Sequence, residues 1–411
     1  MSAIPERTEG TLADDLARAA AIGARSGGGI NRFAWTDELG EVTDLVAAEL
    51  ERLGLEVATD PAGNLIGRWK GRDPDAGAIM TASHLDTVPD GGAFDGTLGV
   101  LSALEAVRQL RREGFEPERP IWIGAFMDEE GTRFGTTMFG SRAFCGEELG
   151  DVLEERDAEG ATLRSAIRGR GLDPDGVSAA RGIDGVAAYV ELHVEQGPVL
   201  WERGARLGVV ESITGLMGYR VRLHGQANHA GTTPIDMRRD ALVGASRIVL
   251  GLRDEARRRS ALRATVGRIR VEPCGTNVIP GFCELSIDLR ASDDATFAVA
   301  DEIVRELVTT VAGEEGLTSD VSRDYAIAPC VMDAEIVAAI EAAAADEGAS
   351  PVRMFSGAGH DAMVVARHAS VGMLFVPSRN GVSHSPDEWT DTADCELGAR
   401  VLAGTLRRLA S

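Results

Sequence analysis

A single stretch of the chain, residues 83–96, combines an imidazole, carboxylates and glycines in an order that could hold a metal ion. An apolar lead-in at residues 78–80 predicts a short buried strand that ends at His84. Side chains at positions i and i+2 of a strand lie on the same face, so His84 and Asp86 would point together. Neutral imidazole and carboxylate are common ligands of Zn, Mn, Co and Ni. The stretch therefore predicts part of a metal site, with Asp95 as a further carboxylate.

Three glycines in this stretch, Gly91, Gly92 and Gly96, would let the backbone turn tightly and bring Asp95 back toward His84. Taken alone, the His-Leu-Asp triplet favours a capped surface turn over a pair of metal-site residues. The choice between these two interpretations therefore depends on polar residues elsewhere in the chain.

Three other predicted strands also end in acidic residues or histidine. Each cluster alone has an ordinary explanation, either a solvated acidic loop or a structural histidine. Because the carboxyl ends of parallel strands meet at one edge of a sheet, the clusters together predict one site with three imidazoles and two carboxylates. The strands and the residues that follow them are 120–127 before Asp128, Glu129 and Glu130, 185–192 before His193, and 371–376 before His384.

The order of the predicted elements indicates two domains. Strands alternate with helices in residues 1–214 and 330–411, which predicts an α/β domain with a mostly parallel sheet. Residues 215–329 follow the order βαββαβ, which is typical of a ferredoxin-like sandwich inserted into the first domain. Its predicted strands are 217–225, 262–272, 282–291 and 317–325, and its predicted helices are 236–258 and 293–312.

Composition narrows the class of protein. The 411 residues favour two domains, and contents of 44% hydrophobic and 26% charged residues are typical of a globular protein. A net charge of −23 disfavours binding to nucleic acid or to an anionic membrane. Residues 1–6 have no signal-peptide pattern, and no apolar run reaches the ~18 residues of a membrane helix. Five unclustered cysteines argue against a disulfide framework, so we expect a cytoplasmic protein.

Eight motifs in register give the chain a specific resemblance from about residue 30 to its C-terminus. It resembles the M20-type zinc amidohydrolases, in the branch of N-carbamoyl-L-amino-acid hydrolases, β-ureidopropionases and allantoate amidohydrolases. The motifs are His84-Leu-Asp-Thr-Val, Gly91-Gly-Ala-Phe-Asp-Gly, Asp128-Glu-Glu-Gly, His193-Val-Glu-Gln-Gly-Pro, Asn228-His-Ala-Gly-Thr-Thr-Pro, Thr276-Asn-Val-Ile-Pro-Gly, Gly357-Ala-Gly-His-Asp and Ser383-His-Ser.

The resemblance implies a site with two divalent metal ions per subunit, zinc or else manganese, cobalt or nickel. Asp95 would bridge the two ions, Glu129 would act as general base and acid, and Asp86 would orient His84. The metal ligands would be His84, Asp95, Glu130, His193 and His384. The residues that contact the substrate would be Gln196, His229, Asn277, Arg290 and His360.

Arg290 and His229 have more specific predicted roles. Arg290 follows an alternating strand and could grip a carboxylate through two parallel hydrogen bonds, although an ordinary surface arginine is the alternative. His229 could stabilise an oxyanion. In the resembled family, the inserted domain forms a lid and a homodimer interface and sends this histidine into the neighbouring subunit's site.

The predicted reaction is hydrolysis of an N-carbamoyl (ureido) L-amino acid to the amino acid, CO2 and ammonia. Allantoate or another ureido acid is the alternative substrate. Allantoate-type relatives tend to carry a Gln-Arg pair after the glycine that corresponds to Gly215. This chain has Leu216 and Met217 there, which favours a smaller or more apolar substrate.

Two other classes of function remain as alternatives. An aminopeptidase or dipeptidase would use the metal ligands equally well, but the Glu195-Gln-Gly-Pro motif and the pair of Asn277 and Arg290 belong to the ureido branch. A non-catalytic binding protein would be expected to lack Glu129 or a metal ligand, and all of these residues are present.

Overall fold

The computed structural model describes residues 10–411, which form two compact units. The first unit comprises residues up to Glu211 together with Met332–Ser411, and the inserted unit is Ser212–Val331. The predicted insertion, residues 215–329, lies inside the second of these. Residues 1–9 lie outside the described residues, and so does the prediction about a signal peptide, which concerns residues 1–6. Among residues 10–411, no helix is both long enough and apolar enough to cross a membrane.

The secondary structure comprises helices, strands and short 3-10 turns. The helices are α1 (Leu12–Ala21), α2 (Asp37–Arg52), α3 (Thr97–Arg112), α4 (Phe139–Phe144), α5 (Leu163–Gly169), α6 (Val199–Arg203), α7 (Ala241–Arg258), α8 (Asp294–Glu314), α9 (Ala334–Asp346), α10 (Ala362–Val365) and α11 (Thr392–Leu409). The strands are β1 (Glu56–Thr59), β2 (Leu65–Trp69), β3 (Ala78–His84), β4 (Ile121–Phe126), β5 (Val186–Val194), β6 (Gly208–Ile213), β7 (Gly215–His224), β8 (Asn228–His229), β9 (Leu262–Glu272), β10 (Val278–Ile279), β11 (Phe282–Ala291), β12 (Thr318–Ile327), β13 (Cys330–Val331), β14 (Val352–Ser356) and β15 (Ser370–Val376). The 3-10 turns are Gly150–Glu154, Pro174–Ala180, Ile183–Gly185, Ile235–Met237 and Arg379–Gly381.

The first unit is built on a large sheet with the strand order β1-β2-β4-β3-β5-β15-β6. Its four central strands, from β4 to β15, are parallel, and antiparallel strands flank them on both sides. Every residue of β3 is buried, as expected of a central strand covered on both faces. Helices α3, α9 and α11 pack on one another and on these strands. The predicted α/β fold with a mostly parallel sheet is confirmed.

The inserted unit has an antiparallel sheet with the order β12-β7-β11-β9, and α7 and α8 pack against it. Side chains of β11 alternate between buried and half-buried along the whole strand, so one face of the sheet meets the two helices. The order βαββαβ and this strand arrangement are those of a ferredoxin-like sandwich. Strands β8 and β10 form a separate two-stranded antiparallel ribbon.

The start of α7 differs from the sequence-based prediction. The sequence pattern predicts a helix from residue 236, whereas α7 begins at Ala241. The Asp240 side chain accepts hydrogen bonds from the backbone N–H groups of Leu242 and Val243, which caps the helix at that point. Residues 235–237 form a separate 3-10 turn after Pro234.

Candidate metal centre

The carboxyl ends of the four parallel strands bring the predicted metal ligands of the first unit together. His84 is the last residue of β3, and His193 is the penultimate residue of β5. Glu130 follows β4, and His384 lies in the loop after β15. The strands are in register, with His84 opposite Phe126 and His193 opposite Phe375, so their ends lie at the same edge of the sheet.

Asp95 lies at the centre of this group. Its Oδ1 atom is 3.7 Å from His84 Nε2 and 3.3 Å from His193 Nε2. Its Oδ2 atom is 3.1 Å from His384 Nε2, which is also 3.6 Å from Glu130 Oε1. A carboxylate with imidazoles on both oxygens has the arrangement expected of a ligand shared by two ions.

In the part of the chain that the structure describes, four sets of three side chains hold their ligand atoms within 4.8 Å of one another. Asp95 belongs to two of these sets, and together the two contain all five predicted metal ligands. The sets are His84, Asp95 and His193; Asp95, Glu130 and His384; His84, Glu129 and Glu130; and Glu191, His193 and His360.

Backbone contacts hold the two buried imidazoles with Nε2 directed at Asp95. His84 Nδ1 is 3.1 Å from the carbonyl oxygen of Asp86, and His193 Nδ1 is 3.1 Å from that of Val194. A carbonyl oxygen accepts only, so each Nδ1 carries the proton and each Nε2 presents a lone pair. His193 Nε2 is buried and has no hydrogen-bond partner among the described residues. This tautomer and this unpartnered nitrogen are what a metal ligand requires.

Close packing around His84 explains why residue 96 is a glycine. Gly96 has φ +63°, and a Cβ atom at this position would overlap the His84 ring. Gly96 is also the residue before α3, which has no side-chain cap at its start. The glycine therefore lets the backbone that carries Asp95 pass directly against the imidazole.

Three other residues at the centre have a left-handed backbone that is uncommon outside glycine. Asp128, Gln196 and His384 have φ values of 57°, 59° and 53°. Such conformations cost free energy and are found mainly where surrounding contacts enforce them. Each of the three lies in a loop that follows a central strand, so the cost is concentrated where ligands are positioned.

Asp86, which is predicted to orient His84, contacts the acidic loop after β4 as well. Its carboxylate oxygens accept hydrogen bonds from the backbone N–H groups of Glu129, at 3.2 Å, and Glu130, at 3.1 Å. The same carboxylate is 3.7 Å from His84 Nδ1, farther than the carbonyl oxygen of Asp86 itself. Asp86 therefore links the end of β3 to the acidic loop after β4.

Glu388 is a buried residue whose role no sequence motif predicts. Its Oε1 atom accepts hydrogen bonds from the backbone N–H groups of Phe94 and Asp95, at 2.9 and 3.0 Å. Its Oε2 atom accepts from Ser383 Oγ at 2.7 Å. Glu388 therefore fixes the position of Asp95 and the loop of His384 together. Its place four residues after His384 is the only local signal of this role.

Arg32 is a fully buried arginine beneath the centre, and no sequence motif predicts its role. Its guanidinium donates to the carbonyl oxygen of Leu85, between His84 and Asp86, at 2.9 Å. It also donates to the carbonyl oxygen of Ala19 at 2.9 Å and to Thr97 Oγ1 at 2.6 Å. Burial lowers its pKa to about 10. Arg32 ties the loop after β3 to the helices behind it.

The acidic groups of the centre are crowded. Burial raises the pKa of Glu129 well above its usual range, and neighbouring carboxylates add to the effect. Burial likewise raises the pKa of Glu130 to about 7. Burial would also raise the pKa of Asp95, but the hydrogen bond with His384 and the nearby imidazoles hold it below its usual range. The same hydrogen bond raises the pKa of His384 to about 9.

These observations fit a divalent cation. The centre buries several carboxylates, and burial of negative charge is costly unless positive charge compensates it. Oriented imidazole Nε2 atoms and carboxylate oxygens are the donor set of zinc and of manganese, cobalt and nickel. Among residues 10–411, the side chains around Asp95 therefore form a candidate site for such ions.

Gln196 and His360, the predicted substrate contacts of the first unit, have different environments. Gln196 Nε2 donates to Asp95 Oδ2 at 2.9 Å, so this side chain reaches the centre. His360 is buried, its Nε2 is 2.7 Å from Ser356 Oγ, and its ring packs edge-on against His193. Burial lowers its pKa well below the usual value. His360 therefore supports a ligand ring, and its role as a substrate contact stays a prediction.

The other predicted substrate contacts, His229, Asn277 and Arg290, belong to the inserted unit. His229 is exposed on β8, and the backbone N–H of Ala230 donates to the carbonyl oxygen of Asn277 at 2.9 Å. Arg290 lies near the end of β11, where its Nε donates to Asp288 Oδ1 at 2.9 Å. The inserted unit thus brings His229 and Asn277 to one ribbon and places Arg290 on its main sheet.

The chain is similar to known proteins over most of its length. The model of peptidase family M20/M25/M40 matches residues 80–408. An N-carbamoyl-L-amino acid amidohydrolase of Geobacillus stearothermophilus is 42% identical over 393 residues, which cover 95% of each chain. An allantoate amidohydrolase of Bacillus subtilis (strain 168) is 38% identical, with 97% of each chain covered. The crystal structure of an amidase of the hydantoinase/carbamoylase family from Burkholderia multivorans has a TM-score of 0.89 at 36% identity, with 97% of each chain covered.

The matched segment of the family model begins within β3 and ends within α11, so it spans the whole candidate metal centre and the inserted unit. Both relatives cover the chain over nearly all of its length. The chain belongs to peptidase family M20/M25/M40.

Proposed function

We propose that the protein hydrolyses the C–N bond of an N-carbamoyl (ureido) L-amino acid and releases the amino acid, CO2 and ammonia. The observation that carries this proposal is the Asp95-centred cluster with Glu129 beside it, in a chain whose relatives named above act on ureido acids. The proposed cofactors are two divalent ions per subunit, zinc or else manganese, cobalt or nickel. His84, Asp95, Glu130, His193 and His384 would hold them.

Bound divalent ions would supply Lewis acidity, which lowers the pKa of water and polarises a carbonyl group. Glu129 is the proposed general base and acid. It is 9% exposed, and its Oε2 atom lies 3.9 Å from His84 Nε2, at the edge of the ligand group. Glu129 would accept the proton of the attacking water and deliver it to the leaving nitrogen. A raised pKa suits this role because the carboxyl must hold the proton between the two steps.

The surroundings of Arg290 support an amino acid substrate with an apolar side chain. Leu216 is directly opposite Arg290 in the register of β7 and β11, so the two side chains lie on the same face. Met217 is buried in the core of the inserted unit, where Tyr219 contacts its sulfur. An apolar side chain beside the proposed carboxylate anchor favours an N-carbamoyl amino acid over the more polar allantoate.

Replacement of Arg290 by alanine tests the carboxylate anchor. We expect Arg290→Ala to cost ~2–4 kcal/mol in kcat/KM for an acidic substrate, because a charge-assisted bidentate contact is lost. The same substrate with its carboxylate amidated should lose little further in the variant. Steady-state kinetics with both substrates measures the difference.

Arg263 offers a matched control for this variant. It lies opposite Arg290 in the register of β9 and β11 and donates to the carbonyl oxygens of Ser260 and Leu262. Arg263→Ala should leave the preference for the acidic substrate unchanged. An equal loss with both substrates in Arg290→Ala would make that arginine a structural residue.

We also propose that the protein is a homodimer in which His229 serves the site of the partner subunit. His229 is exposed on the β8–β10 ribbon. Nearby in the sequence, Ile235 and Met237 are 77% and 72% exposed, more than any other large hydrophobic side chain among residues 10–411. Neighbouring exposed apolar side chains of this kind are typical of an interaction surface. A partner surface over this segment would bury these side chains and position the histidine.

Subunit mixing tests the shared site. We expect Glu129→Ala and His229→Ala to be inactive alone and to regain about a quarter of wild-type activity when mixed under subunit exchange. In a twofold hybrid dimer, one site collects both defects and the other collects neither, and random mixing makes about half of the dimers hybrid. A mixture that stays inactive while exchange is shown by differently tagged chains would mean that His229 serves its own subunit.

A substrate panel tests the proposed reaction. It contains N-carbamoyl-L-amino acids, 3-ureidopropionate, allantoate and dipeptides, each with zinc, manganese or cobalt, and it records ammonia or amino acid release. We expect the highest kcat/KM for an N-carbamoyl-L-amino acid with an apolar side chain. Preferential cleavage of dipeptides would contradict the proposal and favour a peptidase.

A further inference from the structure

The inserted unit carries a group of arginines on its four-stranded sheet, apart from the two-stranded β8–β10 ribbon that carries the proposed substrate residue His229. Arg220, Arg222, Arg268 and Arg270 line a depression of about 480 Å³ together with Phe282 and Glu284. All six side chains lie on the face of the sheet opposite α7 and α8, because the alternate residues of β7 and β11 form the core with those helices. We call these six residues the arginine pocket.

Strand pairing arranges the four arginines as a rectangle. One row of the sheet is Arg222, Glu284 and Arg270, and the next row along the strands is Arg220, Ser286 and Arg268. Neighbouring strands are ~4.8 Å apart and successive rows on one face are ~6.8 Å apart, so the corners of the rectangle are ~10 Å by ~7 Å apart at the backbone. This spacing matches a chain of two or three phosphate groups.

The positive charge of the pocket is only partly compensated. Arg222 pairs with Glu284 at 2.8 Å and Arg220 pairs with Asp324 at 3.1 Å, while Arg270 pairs with Glu272 at 3.2 Å at the rim. Arg268 has no ion pair within residues 10–411. Arg220 and Arg222 on β7 and Arg268 and Arg270 on β9 lie on either side of β11, which contributes Glu284 as the acidic member of the pocket. A bound anion would compensate the positive charge that remains.

The charge of the chain makes this cluster unusual. The inserted unit, Ser212–Val331, contains 15 arginines and 16 acidic residues. The remainder of the chain contains 27 basic and 49 acidic residues, so nearly all of the net charge of −23 lies outside the inserted unit. An exposed cationic pocket on an acidic protein would attract anions locally.

Aromatic side chains adjoin the pocket at one end. The Arg270 guanidinium lies over the Phe282 ring, 5.3 Å from its centroid, and the His224 ring is 5.2 Å from the same phenylalanine. Guanidinium groups bind phosphate oxygens through paired hydrogen bonds, and flat aromatic groups stack on rings of this kind. The pocket therefore offers both groups that a nucleoside polyphosphate would require.

We propose that the arginine pocket binds a di- or triphosphate chain, either inorganic or as part of a nucleotide. This site lies in the inserted unit alone and does not depend on the proposed hydrolytic function. The phosphate chain would lie across the rectangle of arginines, with Phe282 next to one end of it.

Titration calorimetry on the full-length, metal-loaded protein tests this site. The probes are tripolyphosphate and ATP, each saturated with Mg²⁺ so that they do not remove metal from the protein, and unchanged hydrolytic activity after titration checks this. We expect both probes to bind in low salt and to bind more weakly as salt is raised. The double variant Arg220→Ser with Arg268→Ser should lose at least tenfold in affinity.

A control variant and an aromatic variant complete the experiment. Arg253 and Arg257 are exposed on α7 and, within residues 10–411, pair only with Asp254. Changing both to serine alters the net charge equally and should keep the affinity within twofold. If ATP binds more tightly than tripolyphosphate and Phe282→Leu reduces the affinity for ATP to that for tripolyphosphate, the ligand is a nucleotide. If the two probes bind with equal affinity, the pocket recognises the phosphate chain alone. Absence of binding by both probes, or an unchanged affinity in the Arg220 and Arg268 variant, would overturn the proposal.

Discussion

Glu129→Gln is expected to lower kcat by ~10²–10⁴-fold while the protein keeps its bound metal, because the variant loses its general acid and base but no metal ligand. Glutamine keeps the size and hydrogen-bonding shape of glutamate but cannot accept the water proton. The backbone N–H of Glu129 is held by Asp86, so the loop should stay in place. Metal analysis and steady-state kinetics on the same preparation measure both quantities.

Glu130→Gln is the matched comparison for that variant. Its side chain faces Asp95 and His384 across the ligand group, and its backbone N–H is bound by the same carboxylate of Asp86. We expect this variant to lose metal first and activity as a consequence, with partial recovery at high metal concentration. Equal depletion of metal in both variants would contradict the division of roles between the two glutamates.

Arg32→Met is expected to destabilise the first unit by ~3–5 kcal/mol. The substitution removes the donor for two buried carbonyl oxygens, of Leu85 and Ala19, and for the Thr97 hydroxyl. Each buried acceptor left without a partner costs ~1–3 kcal/mol. Because Leu85 lies between two residues of the metal centre, we also expect weaker metal binding. Thermal unfolding of the metal-free and metal-loaded protein measures the two effects separately.

Arg25→Met is the control for the loss of an arginine in the same region. Arg25 is exposed, so its replacement should change the unfolding free energy by no more than ~0.5 kcal/mol. A similar small change in Arg32→Met would show that water replaces the guanidinium in the variant and that the buried contacts contribute little.

Three of the five predicted metal ligands could be placed together from the sequence because they lie at or shortly after the ends of apolar strands. His84, Glu130 and His193 stand at or next to the ends of β3, β4 and β5, where hydrophobic periodicity stops and polar residues begin. In a parallel sheet these ends meet, so local patterns are sufficient to place distant residues together. Hydrophobic periodicity also predicted the order of elements in the inserted unit.

Residues that act through long-range contacts could not be predicted in this way. Glu388 binds the backbone of Asp95 across 293 positions of the sequence, and Arg32 reaches Leu85 and Thr97 from a segment without a strong pattern. A buried arginine or glutamate has the same local sequence signature as an exposed one. The β8–β10 ribbon was also missed, because two residues per strand are too few for periodicity to appear.

Ammonia release as a function of added metal tests the central claim, a two-metal hydrolase of ureido acids, most directly. The protein is stripped with a chelator and titrated with Mn²⁺ or Zn²⁺ while hydrolysis of an N-carbamoyl-L-amino acid with an apolar side chain is followed. We predict no release without metal and a rise to a plateau at two equivalents per chain. Full activity in the stripped protein, or two bound equivalents without ammonia release from any N-carbamoyl-L-amino acid, would contradict the account.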